Sequence, residues 1–362
     1  MRHRREDVTK RGAVRAAGVT DAARQTVQRK VLWPSWLLIA AITLVFAAGL
    51  DVPGWTEYAP FALSLVLFGL PHGALDHLAV PRLLGRKPWP WPVLAVGLLY
   101  LVLGGLYLAL WFASPVCAFV FFIALTWFHW GGGDLHALVA FASEEPDYPA
   151  GAAHRALVLA VRGGLPMLVP LLAHPETYRT VVESTVGLLL GDASGLSPLF
   201  APALRFYAGA FFALLVVGAL AYGYANAKDR RALAAWRVDF AETALLTAYF
   251  ALVPPVLAVG LYFCLWHAPR HIVRLVLLDA TSAVRLEKGR LPLARFVQDA
   301  APLTVTSLVL LLGFYISFPG AETSAPALLA LYLVLVSVLT LPHVAVVSVM
   351  DFGQGLWGRN VE

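Results

Sequence analysis

His267 and His271 stand four residues apart in the apolar run LYFCLWHAPRHIVRL, residues 261–275. On a helix that spacing puts both imidazoles on one face, about a turn apart, where they can share one metal ion. An ionisable residue inside a membrane-length apolar segment is a functional candidate by default. Five further histidines fall in apolar runs: His72 and His77 in LPHGALDHLAV, His129 and His136 in WFHWGGGDLHAL, and His343 in LPHVAVV. His3 lies in a basic N-terminal stretch, and His154 and His174 lie near helix ends, so these three read as loop or interfacial residues. A lone buried histidine ordinarily makes a hydrogen bond to a neighbouring helix. Four apolar segments that all carry histidine point instead to a common site, and an all-imidazole site suits iron, zinc, copper or nickel.

Ligating imidazoles normally donate their second N–H to a carboxylate or carbonyl. Asp76 and Asp134 follow His72 and His129 by four and five residues, which fits that supporting role. A buried carboxylate is costly unless paired or hydrogen-bonded, and Arg270 is the cation expected to meet Asp76 or Asp134. Arg274 is expected to extend toward the cytoplasmic interface. Gly73 and the run 131–133 allow close approach of a neighbouring helix or of a long substrate, or serve helix packing alone.

The segments that carry these residues are membrane spans. Of 362 residues, 59% are hydrophobic and 14% charged, against about 25% charged in soluble domains. Mean hydropathy is +0.73. Apolar runs at about 31–50, 58–80, 91–112, 115–141, 155–173, 203–226, 240–253, 256–278, 300–318 and 326–350 predict about ten transmembrane helices. The fold class is therefore an all-α polytopic membrane helix bundle (nine to ten spans, both termini cytoplasmic). Residues 1–30 form a basic cytoplasmic arm without a cleavage pattern, 31–352 the catalytic bundle, and 353–362 a short tail. The arm holds nine Lys or Arg and is expected to be disordered or interfacial, with anionic-lipid binding as the alternative. The formal charge of +5 is no sign of nucleic acid, because the basic residues fall between spans. Arg155, Arg162, Arg230, Arg231 and Arg237 are assigned to inside loops, whereas the outside loops are mostly acidic. Cys117 and Cys264 both lie in apolar runs and read as packing residues.

With that orientation the spans bearing His72, His129, the 267/271 pair and His343 all run inward. His72 and His129 each lie 14 residues into their spans, and His267 and His271 lie 11 and 15 residues in. At 1.5 Å per residue these four occupy one layer roughly 16–23 Å below the outer surface. His343 is slightly deeper, and His77 and His136 approach the cytoplasmic side.

The segments LPHGALD (70–76), H-x-G-x-x-D (129–134), YFCLWHAPRH (262–271) and LPH (341–343), in this order and with 57 residues from His72 to His129, resemble the Brp/Blh-like β-carotene 15,15′-dioxygenases. These are bacterial and archaeal membrane enzymes that form retinal for rhodopsins. The resemblance implies Fe(2+) ligated by His72, His129, His267 and His271. Asp76, Asp134, Arg270 and His343 would support it. It also implies β-carotene and O₂ as substrates, with both oxygen atoms incorporated into two all-trans-retinal. A multi-pass location in the cytoplasmic membrane and hand-over of retinal to a rhodopsin would follow. His77 and His136 fall outside the family pattern, and Val344 stands where the family usually has methionine. Trp127, Phe128, Trp130, Tyr262, Phe263 and Trp266 are either tunnel walls or helix packing. A histidine-ligated enzyme of another kind (haem or di-iron) or a proton-coupled transporter with a histidine relay are the competing readings.

Overall fold

A computed structural model describes residues 19–85, 91–142, 148–189, 191–317 and 324–357, and these are helical with no strand among them. The long elements are α1 (Asp21–Ala47), α2 (Gly54–Leu83), α3 (Trp91–Ala113), α4 (Pro115–Ala142) and α5 (Gly151–Ala173). After a shorter α6 (Pro175–Gly187) come α7 (Pro202–Asn226), α8 (Arg230–Leu252), α9 (Pro255–Val276), a short α10 (Ala280–Glu287), α11 (Leu293–Ser317) and α12 (Ala325–Gly353). Among the described residues, nine helices are long and apolar enough to cross a membrane. The tenth expected span is the 23-residue α8, which starts ten residues before its apolar run and carries Arg230, Arg231, Arg237, Asp239 and Glu242.

Three expectations change. The stretch between the fifth and sixth spans, read as an outer loop, contains α6 and a 3₁₀ segment, Ala193–Phe200. Its sequence PETYRTVVESTVG is too polar for a span, yet Val182, Thr185 and Val186 pack inward. Residues 21–30, placed in the basic arm, are helical and continuous with the first span, and Ala23 and Val27 are buried. Residues 1–18 and 358–362 lie outside the described residues, as do Glu144, Glu145 and Asp147. Arg162, assigned to a loop, sits inside α5 with 1% of its surface exposed.

Two irregularities set the site. Helix α2 breaks at Phe68, whose φ of −133° is not helical, and resumes as the short turn Gly69–Gly73 before Asp76–Leu83. At Gly69 a Cβ would stand 2.7 Å from the Ser64 carbonyl oxygen and 2.8 Å from the Tyr332 hydroxyl, so only glycine fits the break. In α9 the residues Phe263–His267 form a π-helical turn. Pro269 follows and cannot bond the Leu265 carbonyl, which accepts a hydrogen bond from the Ser35 hydroxyl instead. Such π-turns rotate the side chains that follow and recur at functional sites.

Helix α5 packs against α4, α7 and α8, α12 crosses α3 and α6, and α1 lies along α8. The α4–α5 seam is backbone on backbone. A Cβ on Gly131 would lie 2.2 Å from the Leu159 carbonyl oxygen, and one on Gly163 1.9 Å from that of Trp127. Gly131→Ala is therefore expected to lower stability by about 1–3 kcal/mol, the usual range for overpacking. A drop in the thermal unfolding midpoint in detergent would show it.

Candidate metal centre

The break in α2 brings His72 inward, α4 brings His129, and the π-turn of α9 presents His267 and His271. Their ring centroids lie 5.9 Å (His72–His267), 5.5 Å (His72–His271), 4.9 Å (His129–His267) and 5.7 Å (His129–His271) apart. The 267/271 rings stack within 8° of parallel at 6.1 Å. All four are buried, and the convergence expected of them is present.

The cluster holds one more member. His343 on α12 stands 5.1, 4.7 and 5.1 Å from His72, His129 and His271. One ring nitrogen each from His72, His129 and His343 lie within 4.8 Å of one another. His343, expected slightly deeper than the other four, is thus part of the same cluster. The other histidines among the described residues stay apart. His77 and His174 bond the carbonyls of Ala74 and Ala251, and His136 pairs with Gln354. His154, expected at an interface, is fully buried and accepts a hydrogen bond from the Ala150 N–H.

The ring nitrogens favour a cation. His72 Nδ1 meets the carbonyls of Gly69 and Phe68. Carbonyls only accept, so Nδ1 carries the proton and Nε2 keeps its lone pair. His267 Nε2 and His129 Nε2 face each other at 3.2 Å. Two imidazoles bound about 2.1 Å from one ion at right angles stand about 3 Å apart. Among the described residues His129 Nδ1, both nitrogens of His271 and His343 Nε2 have no hydrogen-bond partner. Buried polar atoms normally have one, and a metal ion would engage this cluster.

The supporting polar groups differ from expectation. Asp76 takes hydrogen bonds from His343 Nδ1 at 2.7 Å and from the Tyr100 hydroxyl at 2.6 Å, so it serves His343 and not His72. Asp134 accepts from Trp266 Nε1 at 3.0 Å, next in sequence to His267. Five residues past His129 it has turned to the α5–α9 side, where Arg162 Nη1 stands 3.8 Å away. Arg270 pairs with neither aspartate. It bonds Glu242 at 3.4 Å, with its guanidinium 3.7 Å above the Trp266 ring, because α8 supplies the nearer carboxylate. Arg162 also bonds Asp239 at 2.8 Å and Glu242 at 3.0 Å, which closes a buried charge network behind His267. Arg274 does not reach an interface: it is 1% exposed, forms an ion pair with Asp351 at 2.8 Å and donates from Nε to Gln354. Span hydropathy cannot reveal such pairs, since Arg162 lies on α5 and its partners Asp239 and Glu242 on α8.

A cavity of about 730 Å³ reaches His72, His129 and His343, within the usual size range for ligand pockets. His267 and His271 do not line it, so they approach the cluster from the packed side. Of the six aromatic residues weighed as walls, Trp130 and Phe263 line the cavity. Tyr262 and Trp266 are fully buried, Trp127 bonds the Ala160 carbonyl, and Phe128 is exposed. Gly133 approaches His267, where a Cβ would meet the ring at 3.2 Å, whereas Gly73 has open space up to His343 Nδ1 at 3.6 Å. Cys264 is buried, whereas Cys117 is exposed.

Residues 63–351 match the family described as beta-carotene 15,15′-dioxygenase. The chain is 44% identical to the probable beta-carotene 15,15′-dioxygenase Blh of Halobacterium salinarum over 93% of this chain and 97% of that one. It is 30% identical to the probable beta-carotene 15,15′-dioxygenase Brp of the same organism, over 88% and 90% of the two chains. It is 23% identical to a beta-carotene 15,15′-dioxygenase of uncultured marine bacterium 66A03, over 79% and 92%. No solved structure matches. The matched region holds every histidine of the cluster and runs through nearly all of the bundle: this chain belongs to the β-carotene 15,15′-dioxygenase family.

Proposed function

We propose that this protein cleaves the central 15,15′ double bond of β-carotene with O₂, giving two molecules of all-trans-retinal. Fe(2+) would be held by His72, His129, His267 and His271. The observation that carries the reading is a buried histidine cluster on the wall of an apolar cavity, in a chain whose relatives bear that activity in their names. When bound, ferrous iron supplies the redox chemistry that lets O₂ react with an alkene. Both oxygen atoms end in the two aldehydes, so the stoichiometry closes without an external reductant.

The chain's own residues hold and position. Neutral imidazoles without a ligating carboxylate would keep the ion cationic among apolar walls. The carbonyls of Gly69 and Phe68 fix the His72 ring, and Trp266 links the Asp134 carboxylate to the helix turn that carries His267. The cavity walls would set the middle of a long rigid polyene against the cluster. Leu101 of α3 and Leu303 and Leu310 of α11 line the cavity and are also exposed, which supports entry sideways from the bilayer. With the 23-residue α8 counted as a tenth crossing, the basic inner and acidic outer loops support insertion in the cytoplasmic membrane with both termini inside.

Expression in β-carotene-accumulating cells tests the assignment. Loss of pigment with retinal as the product is expected by chromatography. Unchanged pigment with inserted, iron-loaded protein would overturn it.

A further inference from the structure

We infer that His343 is a fifth protein ligand of the metal, held in place by Asp76 and Tyr100. The inference rests on the reading of the cluster as a metal centre and extends its ligand set.

Three observations carry it. The His343 side chain is buried, with 5% of the residue exposed, and one ring nitrogen lies within 4.8 Å of nitrogens from His72 and His129. Its Nδ1 is committed to the Asp76 carboxylate at 2.7 Å, and the Tyr100 hydroxyl fixes the same carboxylate oxygen at 2.6 Å. Its Nε2 is buried without a hydrogen-bond partner among the described residues. A carboxylate accepts only, so the proton sits on Nδ1 and the lone pair on Nε2. Carboxylate, imidazole and an open Nε2 in a row form the arrangement by which proteins orient a metal-binding histidine.

A histidine kept only for packing would be satisfied by Asp76 and would turn its second nitrogen to a donor. His343 turns toward other imidazoles, none of which is recorded donating to it. The elements converge for this. Pro342 removes a helix hydrogen bond one residue before His343, and the short final segment of α2 begins at Asp76. The cavity is lined by His343 together with His72 and His129, and the His343 ring also stands 5.1 Å from that of His271. Five imidazoles would hold the ion on a site whose open side is the cavity.

Co(II) binding to the purified, metal-stripped full chain in detergent tests this without turnover. The visible d–d bands of Co(II) strengthen as coordination number falls. Folded His343→Ala is expected to bind Co(II) at least tenfold more weakly than wild type, with intensified bands that added imidazole returns toward the wild-type spectrum. Asp76→Asn keeps the ring but weakens its anchor. It is expected to lose about 10–100-fold in affinity, the usual effect of removing such a partner, with band intensity unchanged. Folded His343→Ala with wild-type affinity and spectrum would overturn the inference. If that variant does not fold, wild-type affinity in Asp76→Asn would do so. Wild type that takes up no Co(II) would remove the metal reading altogether. Wild type that binds Co(II) normally but leaves β-carotene intact would remove only the substrate assignment.

Discussion

Replacing His267 or His72 with alanine is expected to abolish retinal formation and metal retention together, below detection in pigment-accumulating cells and by elemental analysis of the purified protein. The two residues reach the cluster by independent routes. His267 is delivered by the π-turn of α9 and faces His129 Nε2 at 3.2 Å. His72 is delivered by the broken α2, with Nδ1 pinned by backbone carbonyls. Removing even the groups that merely orient metal ligands costs about 10–100-fold in affinity, so loss of a ligand exceeds that. His174→Ala is the matched control. That ring bonds the Ala251 carbonyl at 3.0 Å, away from the cluster, and its loss should leave metal content and cleavage intact. A His72→Ala or His267→Ala protein that keeps its iron and full activity would overturn the ligand assignment.

The cluster was readable in the sequence to the extent that one helix or one depth encodes it. The four-residue step between His267 and His271 is a helical repeat, and counting residues inward from the outer ends placed His72 and His129 at the same level. The same counting put His343 slightly deeper but did not show that it joins the cluster, because that depends on how α12 crosses the other helices as well as on depth. It also missed that α2 breaks at Phe68, since GLPHG reads as ordinary apolar sequence until Gly69 meets Tyr332 from another helix. Nor is α6 visible as a membrane helix, because it is held by contacts with α12 and α4 and not by its own hydropathy.

The largest misassignment concerns charge, and it has a physical lesson. Charge asymmetry counts every Lys and Arg near a span end as a loop cation. Arg162 is one by that rule, but it lies mid-helix and bonds Asp239 and Glu242, which are 77 and 80 residues away in the chain. Position along a sequence does not show which cation a buried carboxylate will meet. Arg270 illustrates the same limit: both expected partners lay on histidine-bearing helices, and the actual partner is Glu242 of α8.

Arg162→Met is accordingly expected to unfold or strongly destabilise the bundle, by about 3–5 kcal/mol, the cost of breaking a buried ion pair from one side. The guanidinium is 1% exposed and stands against Asp239, Glu242 and Asp134. Without it, three buried carboxylates face Arg270 as the nearest cation of the network, at 3.4 Å from Glu242. Trp36 Nε1 and the Tyr148 hydroxyl donate to Glu242 and Asp239 but bring no charge. The loss would pass to the histidines, because Asp134 also anchors Trp266 beside His267. The double variant Arg162→Met with Asp239→Asn removes one charge of each sign and should recover part of the thermal midpoint. A single variant as stable as wild type would mean that water reaches this network and screens it, and the packed wall behind His267 would then not be the rigid support the geometry describes.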